Sequence, residues 1–237
     1  MNNDLKYWNK RFENNGTWEK FGGENQTATW AKLIYENTPK EINEDIKINK
    51  MSISDIGTAL GQLANFYKDK FEDSDVYGFD LSSVAIKRCK ENYKNITFSS
   101  KEIDFDCDVI IMSNILEHID NPLDSLKKHI DKTNKYLIVL CPYKEDPNKL
   151  ITEHVISVDE TILSDEIFGA KKVFNKIMDV RDTKMWAGEM ILAIYEVDNK
   201  LKEEVKEEVK VEKKASKKNT SKKNTAKKNT AKKNNKQ

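Results

Sequence analysis

Apolar residues recur with two alternating rhythms, one helical and one extended, from residue 4 to residue 197. Residues 4–12 place Leu5, Trp8 and Phe12 on one helical face, and residues 16–26 follow as a Gly-, Asn- and Thr-containing loop. Residues 27–37 predict a second helix with Trp30, Leu33 and Ile34 inward, stopped by Pro39. The first strand falls within residues 48–56, with Met51, Ile53 and Asp55 alternating towards its end. A helix over 62–70, a strand over 76–79, a helix capped by Ser82 or Ser83 and running to about Tyr93, and a short strand over 96–98 come next. Residues 109–112 are apolar and mostly β-branched, as in a strand buried on both faces. Asn121-Pro122 opens a helix to about Ile130, and a second buried strand over 136–140 ends at Cys141-Pro142. Ser157 and Glu160 have capping-box spacing, which predicts an amphipathic helix after them. Residues 173–180 and 190–197 are the last two strands and candidates for a hairpin.

Strands alternating with helices predict an α/β fold with a doubly wound, mostly parallel sheet. In such sheets ligands bind beyond the carboxyl ends of the strands, where strand order reverses. Three segments follow predicted strands directly: Asp55 to Gly61, Asp80-Leu81, and Ser113-Asn114.

Charge divides the chain. Residues 201–237 carry 14 Lys and 5 Glu, a net +9, which leaves −8 on residues 1–200 of a chain whose overall charge is +1. The basic end repeats a pentapeptide, from Ser216-Lys-Lys-Asn-Thr220 to Ala231-Lys-Lys-Asn-Asn235. Beyond Lys213 it lacks acids and large apolar residues and is expected to be disordered, so the predicted units are a domain over 1–198 and a charged tail over 199–237. A Lys pair every five residues fits a polyanion or nucleic-acid partner, or a solvated tail with no specific partner. The three cysteines form no CxxC pair and no histidine stands at zinc spacing from them, so no metal site is expected. The polar N-terminus and the absence of a long apolar run predict neither signal peptide nor membrane span, and a cytoplasmic location is expected.

The segment Asp55-Ile-Gly57-Thr58-Ala59-Leu-Gly61 joins a strand-end acid to a glycine turn at a helix start. Gly57 permits a tight turn and close ligand approach, and the helix N-terminus offers free N–H groups to a carboxylate. Asp80, at the end of the next strand, is placed to accept the hydroxyls of a ribose. A dinucleotide would call for Gly-x-Gly-x-x-Gly, and that spacing is absent.

These residues resemble the class I S-adenosylmethionine-dependent methyltransferases. Asp55-x-Gly57-x-x-x-Gly61 is similar to that family's first motif and Gly78-Phe-Asp80-Leu81 to its second. The run from Asp108 to Ile119 resembles the fourth-strand segment beneath the cofactor, and residues 135–142 resemble the fifth strand. The resemblance spans about residues 7–197 and implies a seven-stranded sheet with an antiparallel last pair, and S-adenosylmethionine as cofactor. It also implies an N-terminal helix, around Tyr7-Trp8 and Arg11-Phe12, that covers the cofactor. Two positions depart from the family: its middle glycine is Ala59 here, and the acid expected near the adenine is missing, with Ser99, Ser100 or Glu102 in its neighbourhood. No Asn-Pro-Pro-Tyr or Asp-Pro-Pro-Tyr motif follows the fourth strand, which argues against nucleobase and glutamine acceptors.

A small-molecule, sugar or glycan acceptor is the reading that follows, with His154 as candidate base because imidazole titrates near neutrality. The alternatives are a protein or RNA methyltransferase that docks through the tail, and a non-catalytic cofactor-binding protein. His118 reads as a hydrogen-bonded structural residue and His129 as a helix C-terminal contact. Trp8 and Trp30 read as core, Trp18 as part of a cover, and Trp186 as lining the substrate mouth or fastening the last hairpin.

Overall fold

A computed structural model describes residues 3–101 and 104–199 of the chain. The tail and its pentapeptides, together with Glu102, lie outside the described residues.

The sheet builds from the centre outwards. β1 (Ile53–Ile56) is flanked by parallel β2 (Val76–Phe79) on one side and parallel β4 (Cys107–Ser113) on the other. The order is β3-β2-β1-β4-β5-β8-β7-β6, with β3 at Thr97–Ser99, β5 at Thr133–Tyr143, β6 at Glu166–Ile167, β7 at Ala170–Asp179 and β8 at Glu189–Val197. The chain winds outwards through β2 and β3, then returns to the other side of β1, so strand order reverses between β1 and β4. β8 runs antiparallel to β5 and pairs with β7, the hairpin anticipated from the sequence. The sheet has eight strands rather than seven, because the two-residue β6 folds back on β7 at the far edge.

Local chemistry sets most helix boundaries. Asp4 caps α1 (Leu5–Arg11) by accepting from the Tyr7 amide at 2.8 Å. Ser82 caps α6 (Ser83–Asn92) by accepting from the Ala85 amide, and Pro122 opens α7 (Pro122–Lys132) at its first turn. α5 (Gln62–Lys70) connects β1 to β2.

Three expectations are corrected. The loop over 16–26 contains a short helix, α2 (Thr17–Lys20), and α3 (Gly23–Asn37) begins inside it. Pro39 ends α3 but also stands at the N-cap of α4 (Lys40–Ile48), whose Ile42 and Ile46 are buried one turn apart. The capping box at Ser157 and Glu160 opens no helix. Val158 bridges Tyr143, while the Glu160 carboxylate is taken by the Tyr143 hydroxyl and, at 2.9 Å, by Lys144 Nζ. With Glu160 engaged by these side chains, no reciprocal cap with Ser157 forms.

Helices and sheet enclose two main apolar cores, one on each face. Ile53, Ile111, Ile138, Leu63 and Tyr67 mark one, and Met112, Leu126, Leu137, Val139 and Ile191 the other. Adjacent strand residues alternate between the two, as the pleat requires. Among the described residues no helix is long and apolar enough to cross a membrane.

Ile111, fully buried in β4 and paired with Asp55 of β1, tests this arrangement. Ile111→Ala is expected to lower unfolding free energy by about 3 kcal/mol, read as a lower urea midpoint at unchanged slope.

Candidate functional site

The reversal of strand order opens a cavity of about 410 Å³ beyond the carboxyl ends of β1, β2 and β4, within the range of roughly 300–1,000 Å³ typical of small-molecule and cofactor sites. Seven of the nine residues expected at the cofactor line it: Asp55, Gly57, Ala59, Asp80, Leu81, Ser113 and Asn114. Thr58 and Gly61 stand behind the wall and shape it. Thr58 Oγ1 donates to Asp55 Oδ2 at 2.6 Å. Gly61 has a φ of +89°, and a Cβ there would meet the rings of Tyr93 and Phe98 at 3.0 and 3.2 Å.

The turn after β1 is held in the left-handed region by two residues. Gly57 has a φ of +72°, and a Cβ on it would come within 1.9 Å of Ile115 Cδ1. Ala59 has a φ of +49°, which an L-residue adopts at a cost of about 1–2 kcal/mol. The conformation is rewarded because the Ala59 amide donates to Asp80 Oδ2 at 3.0 Å. The Ser82 amide donates to Asp80 Oδ1 at 2.8 Å. Both oxygens of Asp80 are thus fixed by backbone, and each keeps a second lone pair for a ligand hydroxyl.

Burial dominates the electrostatics. It pushes the Asp55 carboxyl up to about 7, against the opposing hydrogen bond from Thr58, and the charge of Asp80 adds to the rise. Burial likewise raises Asp80 to about 6, opposed by the two amides. A cavity with two desolvated carboxyl groups favours a ligand that brings hydrogen-bond donors and positive charge.

The N-terminal segment forms the cover that the resemblance implied. Phe12, Trp8 and Trp18 pack on Ala59, Leu60 and Ala85. Arg11 lies over the rings of Tyr7, Trp8 and Trp18. It also pairs with Glu153, whose carboxylate accepts from the Tyr7 hydroxyl at 2.7 Å. Burial alone would raise Glu153, but Tyr7 and Arg11 outweigh it and hold the carboxyl below its usual range. Trp8, Trp18, Trp30 and Trp186 all line the cavity, so the division into core and cover does not hold for Trp8 and Trp30, which serve both. The indole N–H groups of Trp18 and Trp30 are buried without a protein partner. Neither Ser99 nor Ser100 lines the cavity; Ser99 Oγ is turned to the Lys101 backbone.

The opposite end of the cavity is built by a 3-10 turn after β4 (Leu116–His118) and by the loop following β5. The Val155 amide donates to the Glu117 carbonyl at 2.8 Å, which ties the two together. Three cavity-lining side chains meet there: Glu117, His118 and His154. His154 is buried, with Nδ1 2.7 Å from Glu145 Oε2. His118 places Nδ1 3.0 Å from the Glu153 carbonyl, and burial lowers its pKa to about 4, so the ring is neutral. Glu117 is 1% exposed, and neither carboxylate oxygen has a partner. Burial pushes it up to about 8. His129 also borders the cavity but bonds within its helix, Nδ1 to the Ser125 carbonyl at 2.8 Å. The sequence offered no sign that Glu117 and His118 would meet His154, because the loop that brings them together lies far along the chain.

Residues 54–134, from β1 to the start of β5, match the family model described as a methyltransferase domain. No curated protein matches the chain. Among solved structures it is similar to S-adenosylmethionine-bound magnesium protoporphyrin IX methyltransferase of Synechocystis PCC 6803, at 12% identity over 84% of this chain and 86% of that one, with a TM-score of 0.53. A protein described as a sarcosine dimethylglycine methyltransferase from Galdieria sulphuraria gives 12% identity, coverage of 71% and 85%, and a TM-score of 0.56. The [4+2]-cyclase SpnF gives 11% identity, coverage of 70% and 80%, and a TM-score of 0.54. At these identities the likeness establishes the fold and leaves the acceptor undetermined.

The raised Asp55 sets a pH dependence. The fold favours the protonated carboxyl, so its stabilising contribution is complete below 3.8 and is lost as pH rises through about 7. Asp55→Asn is expected to raise the melting temperature of the ligand-free protein by on the order of 5 °C at pH 8 and by almost nothing at pH 4, read by calorimetry at both pH values.

Proposed function

We propose that the chain is a class I S-adenosylmethionine-dependent methyltransferase, and that it methylates a hydroxyl of a small-molecule, sugar or glycan acceptor. The observation that carries the reading is the convergence of Asp55 and Asp80 on one cavity at the strand-order reversal, with a partly aromatic chamber beside them.

The residues fit S-adenosylmethionine on chemical grounds. Asp80 offers two pre-oriented acceptors for a ribose. Asp55 offers a desolvated carboxylate for an ammonium or an ordered water. Buried indole N–H groups without a protein partner suit a carboxylate on the side of Trp18 and Trp30. Leu81, 44% exposed and facing the cavity, supplies apolar surface for a nucleobase. The cofactor, when bound, supplies a methyl group already activated on a sulfonium.

What remains for the protein is alignment, water exclusion and handling of one proton. The aromatic cover of Trp8, Phe12 and Trp18 excludes water. His154 is our candidate for the base that takes the acceptor's proton, with Glu145 orienting its ring through Nδ1 and leaving Nε2 to act. Trp186, whose ring centroid lies 5.5 Å from that of His154, is our candidate wall for the acceptor.

Calorimetry with S-adenosylmethionine and turnover on a panel of hydroxylated metabolites and sugars test this reading. Asp80→Ala is expected to weaken cofactor binding by about 100-fold, two charge-assisted hydrogen bonds being lost. His154→Ala is expected to lower kcat by about 100-fold or more at unchanged cofactor affinity. Absence of cofactor binding by the parent chain would sink the proposal.

A second reading rests on the tail. With +9 over residues 201–237, it can dock a polyanionic macromolecule by counterion release. Removing residues 213–237 is expected to leave turnover of a small acceptor unchanged; loss of turnover on RNA or an acidic protein, largest at low salt and shrinking as salt rises, would favour the macromolecular acceptor.

A further inference from the structure

We propose that Glu117, His118 and His154 form a binding site for one first-row divalent transition cation, set at the acceptor end of the cavity with its remaining coordination positions open to the chamber. The proposal goes beyond the methyltransferase reading and does not require it. Its consequence for the acceptor, given below, does rest on that reading.

Three independent features carry it. The first is composition and proximity. One carboxylate and two imidazoles present one ligand atom each, all within 4.8 Å of one another. A cation bound at about 2.0–2.2 Å to each donor needs them about 3.3 Å apart, so the donors close in by at most about 1.5 Å. Two histidines and one carboxylate on one side, with open positions on the other, are a donor set for divalent iron, zinc and their neighbours.

The second is the orphaned carboxylate. Glu117 is 1% exposed, borders the cavity, and has neither oxygen hydrogen-bonded. An acid in that condition costs several kcal/mol unless something compensates it. Nothing in the cofactor end of the cavity does so. A cation between Glu117 and the two rings satisfies both the carboxylate and the geometry.

The third is the outer arrangement of the rings. Both histidines engage Nδ1 with an acceptor outside the trio: His154 with the Glu145 carboxylate at 2.7 Å, and His118 with the Glu153 carbonyl at 3.0 Å. An acceptor on Nδ1 fixes the tautomer with its proton there, so Nε2 carries the lone pair. This is the second layer found around metal-bound imidazoles, carboxylate–histidine pairs included. His118 Nε2 lies 3.9 Å from Glu117 Oε1, with space between for a shared ligand. Spacing in the sequence hides the site, because two donors are adjacent and the third comes from the loop after β5.

A bound cation changes what the acceptor end can do. Its open positions would take an oxygen of the acceptor and lower that hydroxyl's pKa, as Lewis-acid coordination does. His154 Nε2 would then be a ligand, so the base role proposed above belongs to the metal-free site alone. Vicinal hydroxyls or a hydroxyl beside a carbonyl, able to chelate two open positions, are the acceptor class this favours.

The full-length chain, stripped with a chelator, is titrated with Co²⁺ and followed by visible absorption and calorimetry. The expected result is one equivalent bound, with ligand-field bands but no sulfur-to-cobalt charge transfer, and displacement by Zn²⁺. His154→Ala and the near-isosteric Glu117→Gln should abolish the bands, and Glu145→Gln should weaken binding by about 10–100-fold. Nitrogen-15 spectra of the unmutated chain provide a test that does not depend on variants folding. Zn²⁺ should shift the ring signals of His118 and His154 and leave those of His129, the third histidine, in place. No saturable binding, a charge-transfer band that implicates the cysteines, or a shift of His129 instead of the other two would overturn the site. S-adenosylmethionine affinity is measured on the same samples. Failure of Co²⁺ binding with the cofactor still bound removes the cation site alone, whereas loss of cofactor binding removes the methyltransferase proposal and leaves the cation result to stand by itself.

Discussion

Two carboxyl groups held out of water within one cavity are the constraint around which the domain is arranged. Asp55 lies near the end of the central strand, opposite Gly78, and Asp80 directly follows the end of the neighbouring strand, so the parallel pairing carries both acids to the same edge of the sheet. Leaving them there is unfavourable, as their raised pKa values record. The local structure answers with fixed donors: the Thr58 hydroxyl on one, and the Ala59 and Ser82 amides on the other. The Ala59 amide reaches Asp80 from a turn that enters the left-handed region at Gly57 and Ala59. Backbone shape, side-chain charge and ligand preference are therefore one problem with one solution.

The cavity divides chemically along its length. One end is acidic and backbone-lined, suited to a polar cation. The other is assembled from the 3-10 turn after β4 and the loop after β5, where imidazole, carboxylate and indole gather. The fold delivers the first end by topology, since any sheet of this order has a crevice there. The second end is delivered by loops, and loops are where proteins of this architecture diverge. A cyclase of similar fold makes the same point: the scaffold does not dictate the reaction.

How much of this could be read from the sequence follows the same division. Asp55, Gly57 and Asp80 were legible because strand-end acids and a glycine turn leave local marks. The buried strands β4 and β5 were legible because a strand covered on both faces is apolar throughout. Helix α4 escapes the local pattern because Pro39 marks the end of one helix as readily as the start of the next, although Ile42 and Ile46 stand one turn apart. The supposed helix after Ser157 failed because Glu160 found better partners in Tyr143 and Lys144, a tertiary preference invisible to local pattern. The grouping of Glu117 and His118 with His154 was beyond reach for a similar reason, since only the folded loop defines that neighbourhood.

Glu153 belongs to the loop after β5, next to His154, yet its carboxylate holds Arg11 and Tyr7 of the first helix. One side chain thus joins the roof of the cavity to the loop that carries His154. Any displacement of the first helix breaks a charge pair whose other half stands beside that imidazole, so the two ends of the cavity are coupled through a single carboxylate.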